Sequence, residues 1–157
     1  MRYVPSGNLI HLLLVEDNAG DVRLVREALL LGGEQAEISV ARDGVEALKY
    51  LRRQPPHHSA ERPDLVLLDL NLPRKSGREV LAEIKNDETL CDIPVVVLTT
   101  SSSSEDIASS YRSHANSYII KPVNLDQYVE MLHRLQEYWT RVARLPTEMG
   151  TPGLFGG

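Results

Sequence analysis

The sequence predicts an α/β fold, a doubly wound parallel sheet of five strands with helices on both faces. Segments typical of strands and of helices alternate five times along the 157 residues. The strand segments at 12–15 and 65–68 are apolar throughout, which is typical of parallel strands buried on both faces. Because crossovers between parallel strands are right-handed, only a few doubly wound topologies remain.

The first two repeats are predicted within residues 9–53. Residues 9–15 form an apolar strand, and residues 19–31 form a helix because apolar residues recur on one side. Gly32-Gly33 is expected to stop this helix, since glycine commonly follows a helix end. A short strand at 38–40 and a helix at 43–53 complete the second repeat.

The third repeat follows a loop at 54–60 that contains two prolines. Residues 65–68 are predicted to form the third strand, and residues 77–86 the third helix. The fourth strand is expected at 94–98, where nearly every residue is β-branched.

The fourth helix is predicted from its start signal. Residues 102–105, Ser-Ser-Ser-Glu, have the form of a capping box, so a helix should run from about 104 to 114. Ile107 and Tyr111 are its main large apolar residues. We therefore expect this helix to be weakly held.

The last repeat comprises a strand at 118–120 and a helix from residue 124 or 125 to about 141, where apolar residues recur at helical spacing. These elements predict one domain at 9–141, preceded by an extension at 1–8. Glycine and proline in residues 142–157 predict a flexible tail, with no second domain.

Composition narrows the classes of partner. A net charge of −5 and a pI near 5.5 predict no direct binding to nucleic acid, because such proteins usually carry a basic stripe. The single cysteine, Cys91, cannot form an internal disulfide, which favours a reducing compartment. No apolar run approaches membrane-spanning length and no signal peptide is evident. We expect a soluble cytoplasmic protein without a membrane partner.

Polar side chains follow four of the predicted strands. Glu16 and Asp17 follow the first, Asp69 the third, Thr99 the fourth and Lys121 the fifth. In doubly wound sheets ligands bind beyond these carboxyl ends. Each residue has an ordinary alternative: the acids can cap a helix, the threonine can be a β-branched strand residue and the lysine a solvated cation. Their coincidence at one edge favours a site.

Carboxylates in this arrangement predict a magnesium site, because Mg²⁺ prefers oxygen ligands. Asp17 and Asp69 would ligate directly and Glu16 would hold a metal-bound water. The backbone carbonyl of Asn71 would complete the protein ligands.

Asp69 itself would attack a phosphoryl group as a carboxylate nucleophile. Phosphoryl transfer depends mainly on positioning and charge neutralisation. The metal would neutralise one phosphoryl oxygen and Lys121 a second, and the Thr99 hydroxyl would bond to the third.

These motifs resemble the receiver domain of two-component response regulators, from about residue 9 to residue 141. The matching segments are Leu13-Leu14-Val15-Glu16-Asp17-Asn18, Leu67-Leu68-Asp69-Leu70-Asn71-Leu72-Pro73, Ser76-Gly77, Leu98-Thr99-Thr100 and Tyr118-Ile119-Ile120-Lys121-Pro122. The resemblance implies a flavodoxin-like (CheY-like) fold and phosphorylation by a histidine kinase. It implies these roles: Asp69 as phosphoacceptor, Glu16 and Asp17 with Asn71 for Mg²⁺, Thr99 as switch hydroxyl, Tyr118 as switch aromatic, and Lys121 as phosphate-facing cation.

A narrower resemblance concerns residues 71–81 and 94–101, together with Trp139 and Leu145-Pro146. These segments are similar to the small stand-alone regulators that pair with bacterial phytochromes. The resemblance implies a bacterial phytochrome as the partner kinase, and no output domain.

The resemblance also implies a switch. A dianion on Asp69 would draw the Thr99 hydroxyl inward, and Tyr118 would rotate from solvent toward the vacated space. Taken alone, Tyr118 would be a surface aromatic at a strand end. The face of the fourth helix, the last strand and the last helix is expected to form a partner or homodimer surface that responds to phosphorylation.

Two other functions stay open on the sequence. A phosphatase with a carboxylate nucleophile would need a second acid beside Asp69, where Asn71 stands. A degenerate receiver that serves as a scaffold would not need to keep mutually repelling acids. The favoured interpretation is that the protein is a signalling protein and not an enzyme. The protein would nevertheless assist its own phosphorylation and dephosphorylation.

Overall fold

The computed structural model describes residues 10–31 and 36–146, and it confirms the predicted fold. Five parallel strands form one sheet in the order β2-β1-β3-β4-β5. The strands are β1 Ile10–Val15, β2 Ala36–Ala41, β3 Leu65–Leu68, β4 Val95–Thr99 and β5 Ser117–Ile120. The helices are α1 Ala19–Leu31, α2 Gly44–Leu51, α3 Gly77–Asn86, α4 Ser104–Arg112 and α5 Leu125–Glu137, followed by a π-helical turn, Tyr138–Val142.

Alternate residues of the central strands supply two separate cores. Leu13 and Val15 of β1 pack with α2 and α3, whereas Leu12 and Leu14 pack with α1 and α5 on the other face. Strands β3 and β4 divide their side chains in the same way. The strands are therefore apolar at every position because both faces of the sheet are covered.

The order of the strands places a crevice between β1 and β3. The chain passes from β1 to β2 in one direction and from β3 to β5 in the other, so the connections diverge at this point. Val15 and Leu68 are partners in register, and the Asp69 amide donates to the Val15 carbonyl at 3.0 Å. The register thus sets Glu16 and Asp69, the next residues, side by side.

Helix α4 begins at Ser104, as predicted, and ends at Arg112, two residues before the predicted end at 114. Its N-cap lies one residue after the first residue of the predicted capping box. Ser103 is the N-cap, and its hydroxyl accepts from the Asp106 amide at 3.2 Å. The prediction that Tyr111 anchors α4 is wrong, because 48% of this residue is exposed. The buried residue of the helix is Ser110. With no large side chain fully buried, α4 has the weak packing that the sequence predicts.

The end of α5 also differs from the prediction. The α-helix stops at Glu137 and the chain continues as a π-helical turn, in which the Ala143 amide donates to the Tyr138 carbonyl. The Thr140 hydroxyl donates to the Gln136 carbonyl at 2.7 Å, and such back-bonding disturbs a regular helix. Trp139 packs against the core that α1 and α5 share.

The predicted extension at 1–8, the stop at Gly32-Gly33 and the tail beyond residue 146 lie outside the described residues. Within the segment predicted as tail, Leu145 is buried. In the described part of the chain, no helix has both the length and the apolar character to cross a membrane.

Candidate functional site

The carboxyl edge of the sheet brings the predicted acids together. Glu16 and Asp69 are buried, and Asp17 is exposed beside them. One carboxylate oxygen from each of the three lies within 4.8 Å of the other two. Hard oxygen donors at this separation suit a divalent cation that prefers carboxylates and keeps several waters. The donor set therefore fits the metal that the sequence predicts.

Lys121 is the cation of the site. Its amide donates to the Thr99 carbonyl at 2.7 Å, which places the residue at the end of β5 beside β4. Its Nζ atom donates to Glu16 Oε2 at 2.8 Å and to Asp69 Oδ2 at 3.1 Å. A third bond reaches Asp21 Oδ2 on α1 at 2.9 Å. An ammonium has three N–H donors, so these carboxylates use all of them.

Asp69 is held from both sides. Its Oδ1 atom accepts from the Asn71 amide at 3.1 Å, while Oδ2 accepts from Lys121. Leu70 beside it is fully buried and fixes the chain as it leaves β3. The Gly77 amide donates to the Leu70 carbonyl at 2.9 Å, so α3 begins directly against this turn.

Thr99 and Tyr118 are linked through one residue of the loop between β4 and α4. The Ser101 amide donates to Thr99 Oγ1 at 3.4 Å, and the Tyr118 hydroxyl donates to the Ser101 carbonyl at 2.9 Å. Thr99 is fully buried, and Tyr118 is half-buried against the core. Tyr118 therefore points inward in this structure, whereas the sequence places it toward solvent before the switch.

Ser101 is also fixed from the side of the helices. Its hydroxyl donates to Asp106 Oδ2 at 2.6 Å, and Arg78 of α3 forms an ion pair with Asp106 Oδ1 at 2.9 Å. The loop that joins the predicted switch residues is thereby connected to the first turns of α3 and α4.

The electrostatics of the site reflect its burial. Burial raises the pKa of Glu16 to about 7; hydrogen bonding to Lys121 opposes this shift and the nearby Asp69 adds to it. Burial would lower the pKa of Lys121, but its hydrogen bonds to Glu16 and Asp21 outweigh this and raise it. The lysine stays charged near neutral pH, whereas Glu16 changes its protonation there.

This shift predicts a pH-dependent effect of Mg²⁺ on stability. The folded protein holds the Glu16 proton up to about pH 7, whereas the ordinary pKa is 4.5. The metal-free protein should therefore lose stability as pH rises from 4.5 to 7, by at most about 3 kcal/mol, since one pKa unit corresponds to about 1.4 kcal/mol. Because a bound cation requires the deprotonated carboxylate, Mg²⁺ should raise the melting temperature more at pH 8 than at pH 5.5.

Thermal unfolding at both pH values, with 10 mM EDTA or about 10 mM Mg²⁺, checks this expectation. A Glu16→Gln variant should lose most of the difference between the two pH values. An equal Mg²⁺ effect at both values in the wild type would contradict it.

The structure brings together all the acidic and basic residues that the sequence predicts for the site, and it adds Asp21. The sequence analysis missed Asp21 because it lies within α1 and not at a strand end. Its position three residues after Asn18 is the signal that could have found it, because this places it in the first turn of the helix that begins beside Glu16 and Asp17. The exposed Asn71 contributes its amide to Asp69, and its carbonyl remains a predicted ligand.

Comparisons with known proteins agree with this geometry. The sequence model of the response regulator receiver domain family matches residues 12–133 of this chain. Response regulator Rcp1 of Synechocystis sp. is 45% identical over 135 residues, which cover 86% of this chain and 92% of the relative. The probable methanogenesis regulatory protein FilR2 of Methanothrix harundinacea is 44% identical over 137 residues, 86% of either chain.

Solved structures show the same similarity. The phosphorylated cyanobacterial phytochrome response regulator RcpA is 50% identical with a TM-score of 0.86, over 88% of this chain and 99% of that one. The Mn²⁺-bound form of Rcp1 is 45% identical with a TM-score of 0.84, over 87% of this chain and 98% of that one.

Proposed function

This chain belongs to the response regulator receiver domain family, and we propose on that premise that Asp69 accepts a phosphoryl group from a histidine kinase. The supporting observation is the pairing of a buried carboxylate with a buried ammonium at 3.1 Å, beside a cluster of acids. Family membership makes the protein a signalling component. We place it in the cytoplasm, where such a kinase would present its phosphohistidine.

The proposed reaction is a transfer between two side chains. A carboxylate oxygen of Asp69 attacks the phosphorus, a new P–O bond forms and the P–N bond of the kinase phosphohistidine breaks. The imidazole leaves with the electron pair, and Asp69 becomes an acyl phosphate. Because Asp69 Oδ1 is engaged by the Asn71 amide and Oδ2 by Lys121, the nucleophile is already oriented.

The surrounding residues stabilise the transferred group. Lys121 neutralises one phosphoryl oxygen, and the buried Thr99 hydroxyl donates to another. Glu16 and Asp17 with Asp69 and the Asn71 carbonyl would hold Mg²⁺, which when bound supplies charge neutralisation. Water bound in the same crevice would later hydrolyse the acyl phosphate, so the protein assists its own dephosphorylation.

The partner kinase is proposed to be a bacterial phytochrome. RcpA is described as a cyanobacterial phytochrome response regulator, and half of its aligned residues are identical to those of this chain. Two further solved structures are the bacteriophytochrome response regulators RtBRR and AtBRR, whose sequences are 38% and 39% identical to this chain. This shared ancestry supports the phytochrome over other kinases.

The proposed function is tested with a small phosphoryl donor. Incubation of the wild type with acetyl phosphate and Mg²⁺ should add one phosphoryl group per chain, seen by intact mass, and EDTA should prevent it. Rapid turnover of the donor without an adduct would favour a phosphatase. No adduct from acetyl phosphate or from a phosphorylated kinase would favour a scaffold.

We further propose that the protein forms a homodimer through the face of α4, β5 and α5. Large apolar side chains are exposed on α4, on β5, at the start of α5 and in the connection between β5 and α5. A dimer contact through these elements would remove them from water, which is favourable. These side chains are Tyr111, Ile120, Val123 and Leu125. Phosphorylation would favour the inward position of Tyr118 and the connected α4 arrangement, and so strengthen the dimer.

An Ile120→Asp change should weaken this dimer at least about tenfold, because it places a charge in an apolar contact. Sedimentation equilibrium with and without beryllofluoride and Mg²⁺ measures the dissociation constant. Leu30→Asp is the matched control, since Leu30 is exposed on α1, which is not one of the three elements of this face. A wild type that stays monomeric with beryllofluoride would refute the dimer.

A further inference from the structure

Asp21 is the carboxylate of the site that neither the metal cluster nor the phosphoacceptor accounts for. It lies in the first turn of α1, and its side chain is 28% exposed. The Lys121 ammonium donates to its Oδ2 atom at 2.9 Å, a shorter distance than the 3.1 Å to Asp69. Glu16 and Asp69 also belong to the acidic cluster, whereas Asp21 does not.

The local backbone frees the Asp21 side chain for this contact. Asn18 precedes α1, and its side-chain oxygen accepts from the Asp21 amide at 2.9 Å. An acid at this helical position often bonds back to the amide of the capping residue. Here the Asn18 amide donates to Glu16 Oε1 at 3.1 Å instead. Capping is therefore complete without the Asp21 carboxylate, whose ionic partner in the described chain is Lys121.

A lysine side chain has a flexible four-carbon stem, and its ammonium needs fixed partners to hold one position. During phosphoryl transfer, Lys121 gives up its hydrogen bond to Asp69 and donates to a phosphoryl oxygen instead. Glu16 is shared with the acidic cluster. Of the three carboxylates around Nζ, Asp21 alone has no second role in the reaction.

We propose that Asp21 is a positioning residue for phosphoryl transfer, which holds the Lys121 ammonium against the face of Asp69 where the phosphoryl group arrives. This inference rests on the proposed function. Asp21 also adds a negative charge that repels the incoming group. Its exposure screens that repulsion, whereas its bond to Nζ is direct. Positioning therefore outweighs repulsion.

The test is a double-mutant cycle on phosphorylation by acetyl phosphate. Asp21→Ala should lower the maximal rate about tenfold, as expected when a catalytic group is misplaced. The donor concentration at half-maximal rate should change little. Mg²⁺ affinity, measured by calorimetry, should change by no more than about fivefold. In a Lys121→Met background, Asp21→Ala should have no further effect on the rate.

Asp126→Ala is the matched control, because Asp126 lies exposed in the first turn of α5 and its loss changes net charge equally. It should leave the rate unchanged. Asp21→Asn, which keeps an oxygen acceptor, should recover part of the lost rate. Circular dichroism verifies folding, and if Lys121→Met does not fold, ¹⁹F spectra of bound beryllofluoride replace the cycle. Asp21→Ala should then shift one fluorine resonance, and Asp126→Ala none.

An equal or faster rate in Asp21→Ala would overturn the inference, since it would show that repulsion dominates. If Asp21→Ala slowed phosphorylation by the same factor in the wild-type and Lys121→Met backgrounds, that would also overturn it. Unchanged ¹⁹F spectra in Asp21→Ala would do the same. In each of these cases the wild type still forms the adduct and the proposed function stands. A wild type without any adduct would overturn both.

Discussion

An Asp69→Asn variant is expected to form no phosphoryl adduct with acetyl phosphate or with a phosphorylated kinase. The amide is a far weaker nucleophile than the carboxylate. Glu16 is also buried, bonded to Lys121 and next to a backbone donor at 3.1 Å. Its pKa, raised to about 7 by burial, leaves part of it protonated near neutral pH, which makes it a poor substitute for Asp69. The loss should be complete within detection, whereas the fold should persist because the substitution preserves size. Intact mass after incubation, with circular dichroism in parallel, measures both.

Asp126→Asn provides the control, since it removes the same charge from an exposed helix start. Its adduct should match that of the wild type. An Asp69→Asn variant that still gains a phosphoryl group would place the acceptor on another residue, with Asp17 the first to examine.

A Gly77→Ala variant is expected to lose about 3 kcal/mol of the free energy of unfolding, the upper part of the range for overpacked sites. A Cβ atom at this position would lie 2.0 Å from the Asp69 carbonyl oxygen and 2.6 Å from the Leu70 Cα. Both contacts are with backbone, which cannot rotate away. The first turn of α3 and the segment that carries Asp69 must therefore separate.

Chemical denaturation measures this loss, and the variant should also be phosphorylated more slowly because Asp69 moves. Gly20→Ala in α1 is the control: its Cβ would lie 3.2 Å from the Asn18 side-chain oxygen, which can adjust. Alanine favours a helix over glycine by up to about 1 kcal/mol, so this control should be neutral or more stable. Equal stability of the wild type and Gly77→Ala would contradict the close packing at Asp69.

The sequence predicts the fold well because its local signals agree with one another. The bounds of α1, β3 and α3 match the prediction: apolar spacing marks these elements, and Ser76 caps the start of α3. The prediction fails at the end of α5, where the Thr140 side chain bonds to the Gln136 carbonyl. Trp139 lies at regular helical spacing, yet the chain there forms a π-helical turn that the spacing does not reveal.

The residues of the site also fall into those that the sequence predicts and those that it does not. Residues that directly follow strands are predictable, because parallel strands share one edge. Asp21 is not, because its contact with Lys121 depends on how α1 is oriented against the sheet. The inward position of Tyr118 also depends on the Ser101 carbonyl in a neighbouring loop, 17 residues away in sequence.

The central claim is that Asp69 carries the phosphoryl group, and locating that group on the wild-type chain tests it most directly. Reduction of the phosphorylated protein with borohydride converts an acyl phosphate into an alcohol, which peptide mass spectrometry assigns to a residue. The account predicts reduction at position 69 alone, dependent on Mg²⁺ and on prior phosphorylation. Reduction at Glu16 or Asp17, or modification of a histidine or serine instead, would contradict it.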